Sequence, residues 1–281
     1  MSNLPPTVHG YQLWYYYTSV PGNVIVALLF LALCIFHIVF IRRDSAKFCI
    51  SLLIGGIFEF AGYIIRAYCH SHPQSITFYS IQSVLILVAP VLMAATAYMF
   101  LGRIISRING ERYSLISRKW LTKIFVTSDI VCFLIQGAGA SLLARSDSES
   151  QTNTYQKIIL AGLALQIIFF GFFITIAVVF HHRMKRWVSS IESGIHWQEL
   201  LISLYAVSFL IILRNIVRAV EFGEGKAGYL LTHEWATFVF DAACMLLVMI
   251  ISMSWYHLRP SFVPAHTRDL ERSGVISFEL K

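Results

Sequence analysis

The sequence is poor in charged residues. Only 13% of its 281 residues are Asp, Glu, Lys or Arg, whereas 57% are hydrophobic. Soluble domains carry about 25% charged residues, because their surfaces must be hydrated. This composition therefore excludes an ordinary soluble protein and leaves no stretch for a separate soluble domain.

Motifs for metal, nucleotide and disulfide chemistry are also lacking. No CxxC or CxxxC spacing occurs, and Gly225-Lys226, the nearest candidate for a Walker A sequence, is followed by Ala and lacks the earlier Gly. Only Cys69 falls in a predicted external loop, so no intramolecular disulfide is expected there. The sequence predicts neither a metal nor a cofactor, and no hydrolysis of ATP by this chain alone.

What the sequence does contain is long apolar runs. About 20 apolar residues in a helix span a hydrocarbon core of roughly 30 Å, and these runs are too long for the alternating strands of a barrel. Because only helices and closed barrels satisfy the backbone in lipid, we predict an all-α membrane protein with seven transmembrane helices. The runs are Val20–Ile41, Phe48–Tyr68, Phe78–Leu101, Thr122–Ala144, Ile158–Phe180, Glu199–Val220 and His233–His257.

The orientation is predicted from the basic residues in the segments between the runs. Sixteen Lys and Arg lie on one side and three on the other; the richer side is cytosolic by the positive-inside rule. We therefore expect residues 1–19 to be a short extracellular N-terminus, 20–257 a seven-helix transmembrane domain and 258–281 a cytosolic tail. With no basic region before Val20, the first run is predicted to be a retained helix. The net charge of +7 reflects this bias, and no nucleic-acid partner is expected.

Several ionisable and polar residues lie inside the apolar runs. Each charge costs about 2.5–3.5 kcal/mol at a helix centre, so it requires a partner, water or a function. Their spacings of three, four and seven put them on one face of each helix. We predict a shared polar cavity that opens outward, with Asp129 below it; buried ion pairs that fix helix register are the open alternative. The residues are Glu59, Tyr63, Arg66, Asp129, Gln136, Arg214, Arg218, Glu221, Glu234 and Asp241.

Three further features have structural interpretations. Pro90 lies inside the third run and removes a helix hydrogen bond. Gly137 and Gly139 are predicted to let the fourth helix approach a neighbour closely. Aromatic residues cluster at the ends of runs, as in interfacial belts, and are interpreted as anchors. They are Trp14, Tyr15, Tyr16, Tyr17, Trp255 and Tyr256.

Five stretches resemble the fungal RTA-like lipid-translocating exporters. The last of them is the most specific, because it orders two Arg, Glu-Phe, Gly-Tyr, His-Glu-Trp and Asp in one block. Family hallmarks in these stretches are Gln166 and the polar residues named above, apart from Tyr63. The stretches are FEFAGYIIR (Phe58–Arg66), LVAPVLMAATAYMFLGRII (Leu87–Ile105), SDIVCFLIQGAGA (Ser128–Ala140), LAGLALQIIFFGFF (Leu160–Phe173) and LRNIVRAVEFGEGKAGYLLTHEWATFVFDA (Leu213–Ala242).

The resemblance implies a seven-helix membrane protein of the plasma membrane linked to resistance to toxic lipophilic compounds. Members are associated with release of sphingoid long-chain bases, and one with porphyrin uptake. The leading hypothesis is a translocator of amphipathic lipids or lipophilic compounds, and membrane lipids are its expected partners. A sphingoid ammonium group would be received by Glu59, Glu234 and Asp241 through charge-assisted hydrogen bonds. Transport would be passive or coupled to protons through a carboxylate such as Asp129 or Asp241.

Two other classes remain open. A seven-helix receptor or sensor that regulates lipid asymmetry or stress signalling fits the topology. The third run, however, ends in Leu101-Gly102-Arg103 and not in the Asp-Arg-Tyr of the common G-protein-coupled receptors, and the seventh has no lysine for the retinal of a rhodopsin. A zinc lipid hydrolase would need three of the histidines near the predicted cytosolic ends, but no HxxxH pair accompanies them. We therefore expect no enzyme. These histidines are His37, His181, His182 and His257.

Overall fold

The computed structural model describes residues 14, 16–107, 110–143, 149–188, 197–224 and 228–257. Six helices are continuous, and a seventh begins at Glu234 after the short helix Tyr229–Thr232. Short 3₁₀ helices lie at Lys47–Cys49 and Gly110–Tyr113. The six helices are α1 (Val20–Asp44), α2 (Ile50–Cys69), α3 (Ile76–Arg107), α4 (Arg118–Leu143), α5 (Glu149–Val188) and α6 (Trp197–Glu224).

The seventh span, α7, runs from Glu234 to Tyr256 and changes its helix type twice. It begins as α-helix (Glu234–Ala236), widens into a π-helix (Thr237–Ala243), returns to α-helix (Cys244–Ser252) and ends in a 3₁₀ helix (Met253–His257). A π-helical stretch is rare and is found frequently at functional sites. It was not predicted, because hydrophobic periodicity does not distinguish i→i+5 from i→i+4 bonding.

The prediction of seven spans is confirmed. Seven helices are long and apolar enough to cross a membrane, and the protein is a multi-pass membrane protein. The main difference is at α5, which begins at Glu149 and includes most of the polar segment 146–157 that we had expected to be a loop. Thr152 is buried there, so the helix continues where it still has packing partners.

The first helix shows why the chain becomes helical at this point. Pro21 lies in its first turn, where a missing N–H costs nothing. The Ser19 side chain caps the start by accepting a 3.3 Å hydrogen bond from Gly22 N. At the other end, Arg42 and Arg43 face the negative end of the helix dipole. Ser45 then stops the helix in the left-handed region, at φ 50°.

Glycines bring the helices into close contact. A Cβ on Gly55 of α2 would lie 2.9 Å from the backbone oxygen of Ala89 on α3, and one on Gly62 would lie 2.7 Å from Ile86. On α4, a Cβ on Gly139 would lie 2.7 Å from Ile159 of α5, which confirms the predicted close approach. Gly137 differs, because a Cβ there would meet nothing within 4 Å.

The outer surface of the bundle is apolar. Ile25, Leu28, Phe36 and Val39 of α1 are each more than half exposed, as expected of side chains that face lipid. We name the end of the bundle where Ser19, Cys69 and Glu234 lie the N-terminal end; it is the predicted extracellular side.

The interpretation of the terminal aromatic residues as interfacial anchors is wrong for three of them. Trp14, Trp255 and Tyr256 are buried inside the protein. Trp255 stacks on Phe100 with ring centroids 4.1 Å apart, and its indole N–H donates to the Ser203 hydroxyl at 2.9 Å. Sequence position near a span end therefore did not reveal which way these rings point.

Candidate functional site

A cluster of charged side chains lies between α2, α6 and α7 in the half of the bundle nearer its N-terminal end. Its centre is Asp241, in the π-helical stretch of α7. One carboxylate oxygen contacts Arg214 Nε and the other contacts Arg218 Nη2. Arg218 also binds Glu221 through Nη1 at 3.1 Å. The side chains of Arg214 and Asp241 are only 3% and 4% exposed, so this pair is removed from water.

Arg214 has a second partner on α3. Its Nη2 donates a 3.0 Å hydrogen bond to the backbone oxygen of Ile86. Pro90 lies four residues later and has no N–H, so Ile86 is the carbonyl that proline leaves without its helical donor. One guanidinium thus satisfies a carboxylate on α7 and a freed carbonyl on α3.

Glu59 lies on α2, near the Arg214–Asp241 pair. It is 1% exposed, and neither of its carboxylate oxygens has a hydrogen-bond partner among the described residues. It lies within electrostatic range of Arg214, Arg218 and Asp241. Tyr63, one turn further along α2, is also buried with an unpartnered hydroxyl. We call Glu59, Tyr63, Arg214, Arg218, Glu221 and Asp241 the charge cluster.

The formal charges of the charge cluster do not sum to zero. Its three carboxylates, Glu59, Glu221 and Asp241, face two guanidinium groups. When all are ionised, one negative charge is left without compensation. An uncompensated charge away from water costs several kcal/mol, so the cluster has an electrostatic preference for one further cation or proton.

A cleft between α6 and α7 gives access to the charge cluster. It encloses empty space of ≈ 260 Å³, its open mouth included. Most of this space is the open mouth, and the enclosed part is no larger than a water molecule, so a ligand head group can enter only if the cleft widens. One part of its lining is charged and another is apolar. The lining residues are Arg214, Val217, Arg218, Glu221, Leu230, Ala236, Thr237, Phe240 and Asp241.

Arg66 and Glu234 lie at the N-terminal end, outside the cleft lining. Arg66 donates to the Tyr16 hydroxyl at 2.5 Å and lies 5.2 Å from the Trp14 ring centroid. Glu234 accepts from Ser19 N through both oxygens, at 3.0 and 2.9 Å, and from Asn23 Nδ2 at 3.2 Å. Both side chains therefore hold the segment before α1 onto α2 and α7.

The two predicted site residues of α4 are not brought to the charge cluster. Asp129 accepts a 2.7 Å hydrogen bond from the Tyr98 hydroxyl of α3. The amide of Gln136 donates to the Gln166 side-chain oxygen of α5 at 2.9 Å. The expectation of one polar interior shared by four helices thus holds for α2, α6 and α7 but not for α4.

Two of the four histidines that suggested a zinc site, His37 and His181, have other partners, and the side chain of His257 lies outside the described part of the structure. His37 is buried with Nδ1 2.7 Å from the Tyr256 hydroxyl and Nε2 3.2 Å from the Met249 carbonyl. His181 Nδ1 lies 3.2 Å from the Tyr205 hydroxyl. Across the described ranges, no group of three His, Cys, Asp or Glu is placed to hold a metal.

Sequence reasoning missed Tyr98 and the Ile86 carbonyl. Pro90 was the available signal for the second, because a proline inside a helix frees the carbonyl four residues before it. Tyr98 had no such signal, since its pairing with Asp129 depends on how α3 and α4 pack.

Comparison with known proteins settles the family. The model of the RTA1-like proteins matches residues 52–263, which include every member of the charge cluster. The chain belongs to the RTA1-like family. No solved structure matches it.

Three relatives from Saccharomyces cerevisiae show the breadth of this family. Protoporphyrin uptake protein 1 is 44% identical, over 72% of this chain and 66% of its own length. Protein RTM1 is 41% identical, over 74% of this chain and 67% of its own. Sphingoid long-chain base transporter RSB1 is 26% identical, over 84% and 70%. The chain thus spans about two thirds of the length of the curated relatives it matches, and no enzyme is named among those relatives.

Proposed function

We propose that this protein moves amphipathic compounds across the membrane, with a sphingoid long-chain base as the type of substrate. The observation that carries the proposal is Glu59, a fully buried carboxylate with no hydrogen-bond partner among the described residues. It lies within electrostatic range of Arg214, Arg218 and Asp241, which line the cleft. The name of the relative at 26% identity supports this type of substrate.

The chemistry of a sphingoid base matches the two parts of the cleft. Its ammonium group supplies the cation that the charge cluster lacks, and it can donate charge-assisted hydrogen bonds to Glu59. Its hydrocarbon chain does not fit inside the cleft. The hydrocarbon chain of the substrate extends out of the cleft between α6 and α7, past Leu230 and Phe240, and lies along the lipid-facing surface.

Movement of the head group requires the ion pairs to rearrange. An arriving ammonium competes with Arg214 and Arg218 for Asp241, and a released arginine can turn to Glu59. The π-helical stretch favours such a step, because its wider turn gives the backbone around Asp241 a second arrangement, the ordinary α-helix. The plasma membrane, with the N-terminal end outside, is the proposed location.

A second candidate substrate is a porphyrin, favoured by the relative named for protoporphyrin uptake at 44% identity. Its carboxylates would bind Arg218, whose side chain is 20% exposed at the cleft. The same cleft then accepts an anionic head group in place of a cationic one.

The test is movement of two fluorescent probes, a labelled sphingosine and protoporphyrin IX, across vesicles that hold the purified full-length chain. Faster movement of the labelled sphingosine than in protein-free vesicles supports the proposal. Faster movement of protoporphyrin alone replaces it with the second candidate. Movement of neither probe contradicts a stand-alone translocator and favours a receptor or sensor that regulates lipid asymmetry.

A further inference from the structure

Asp129 differs from the other buried carboxylates in having no cation nearby. It is 1% exposed, and within the part of the chain that the structure describes no Lys, Arg or His lies within 4.0 Å of its carboxylate. Oδ2 accepts from the Tyr98 hydroxyl at 2.7 Å, and Oδ1 has no partner among the described residues. Asp241 is bound by two arginines and Glu59 lies within their range, so the three sites differ in electrostatics.

The surroundings of Asp129 are aromatic and closely packed. The Tyr98 ring contacts Phe173 at 4.7 Å, Phe125 at 5.3 Å and Phe170 at 5.9 Å between centroids. All four rings are 1% exposed or less. Asp129 thus faces the phenol of Tyr98 on α3 and lies within electrostatic range of the Cys132 thiol on α4, and the phenyl rings from α4 and α5 pack around that phenol.

An ionised carboxylate with one hydrogen bond and no cation is costly in such surroundings, whereas a neutral carboxyl is not. We propose that Asp129 is a proton-binding site, and that its protonation couples substrate movement to a pH gradient across the membrane. The coupling rests on the proposed function; the proton site itself does not. One proton is bound to Oδ1 and later released, and no other bond changes.

The third helix is the physical connection between the proton site and the charge cluster. Its Ile86 carbonyl binds Arg214, and its Tyr98 hydroxyl binds Asp129. These residues are twelve apart, or about 18 Å along the helix axis at 1.5 Å per residue. Ionisation of Asp129 strengthens its bond to Tyr98, which biases the position of α3 and therefore the partner that Arg214 holds.

The proton site is tested by infrared difference titration of the purified chain, without substrate. The wild type is expected to show the carbonyl stretch of a protonated carboxyl that disappears at high pH. Asp129→Asn is expected to lose this band, and Tyr98→Phe, which keeps the carboxyl, to shift it. Glu224→Gln, at an exposed position at the end of α6, is the matched control and should reproduce the wild-type band. An identical band in wild type and Asp129→Asn would overturn the proposal.

Coupling is tested in vesicles as the ratio of labelled sphingosine movement with and without a pH gradient. The wild-type ratio is expected to exceed unity, and in Asp129→Asn the gradient should cause no increase, whatever the absolute rate. A ratio in Asp129→Asn equal to that of the wild type would overturn the coupling. Absence of movement in the wild type would instead remove the proposed function, and the infrared titration would still decide the proton site.

Discussion

Arg214 donates a hydrogen bond from Nη2 to the backbone carbonyl of Ile86, at 3.0 Å across the boundary between α6 and α3. The carbonyl is free to accept because Pro90, four residues later, has no N–H. The same guanidinium binds Asp241 on α7. A single side chain therefore ties three helices together beside the cleft.

This relationship predicts an energetic coupling between Arg214 and Pro90. Arg214→Lys keeps a cation for Asp241 but loses the planar fork that reaches both partners. We expect it to lower the thermal unfolding midpoint in detergent, because the Ile86 carbonyl loses its donor at a cost of about 1–3 kcal/mol. In a Pro90→Ala background the new backbone N–H can serve Ile86, so the same substitution should cost less.

The control for this cycle is Arg112→Lys, at an exposed position in a short 3₁₀ helix. It should leave the midpoint unchanged in both backgrounds. If Arg214→Lys lowers the unfolding midpoint equally in the wild-type and Pro90→Ala backgrounds, the Arg214 guanidinium does not have the assigned role.

A second prediction separates function from stability at Glu59. Because its carboxylate has no hydrogen-bond partner in the described part of the chain, Glu59→Gln removes a costly buried charge, so the unfolding midpoint should stay the same or rise. Binding of sphingosine to the purified protein should weaken about 10–100-fold, since a hydrogen bond to a charged group is worth about 1.5–3 kcal/mol. Thermal unfolding and a binding titration check the two outcomes. A destabilised variant with normal binding would mean that Glu59 serves the fold alone.

Glu234 is predicted to behave in the opposite way. Its two oxygens accept from Ser19 N and one accepts from Asn23, at the start of α1. Glu234→Ala removes these acceptors and should destabilise the protein by about 0.5–2 kcal/mol, as loss of a helix cap does. Sphingosine affinity should remain near that of the wild type, because the Glu234 carboxylate is already hydrogen-bonded to the start of α1, unlike that of Glu59. Loss of affinity without loss of stability would instead include Glu234 in the site.

The glycine contacts predict a matched pair of substitutions. Gly55→Ala places a Cβ 2.9 Å from the Ala89 backbone oxygen, which cannot move aside as a flexible side chain can. We expect a cost of about 1–3 kcal/mol from the forced separation of α2 and α3. Gly171→Ala meets nothing within 4 Å and should be neutral or stabilising, because Ala favours helix by about 1 kcal/mol. Unfolding midpoints that fall equally in both variants would contradict this account of helix packing.

Much of the fold was predictable from the sequence because the membrane restricts the possibilities. Apolar length alone located seven spans, and helical spacing correctly put Arg214 and Arg218 on one face of α6. The same spacing failed for Asp129, because periodicity gives the face of a helix but not the neighbour that this face meets. The pairs Arg214/Glu221 and Asp129/Gln136 have the same i, i+7 spacing in the sequence. The first pair lines the cleft, whereas Asp129 contacts Tyr98 and Gln136 contacts Gln166.

Other features depend on details that hydropathy does not encode. The π-helical stretch around Asp241 follows from backbone bonding, which composition does not reveal. Trp255 is apolar, aromatic and terminal, as an interfacial anchor would be, yet it packs on Phe100 inside the bundle. The resemblance to the RTA-like exporters identified the charged residues of the charge cluster but neither Tyr63 nor the pairing. The unpartnered state of Glu59 became evident only from the structure.

The most direct test of the central claim is labelled sphingosine movement across vesicles that hold wild type, Glu59→Gln or Glu224→Gln. Glu224 lies on α6 and is exposed, so its variant makes the same chemical change outside the charge cluster. The account predicts movement by wild type and Glu224→Gln, and a rate near that of protein-free vesicles for a folded Glu59→Gln. Equal rates for all three proteins would contradict the claim that Glu59 receives the substrate head group.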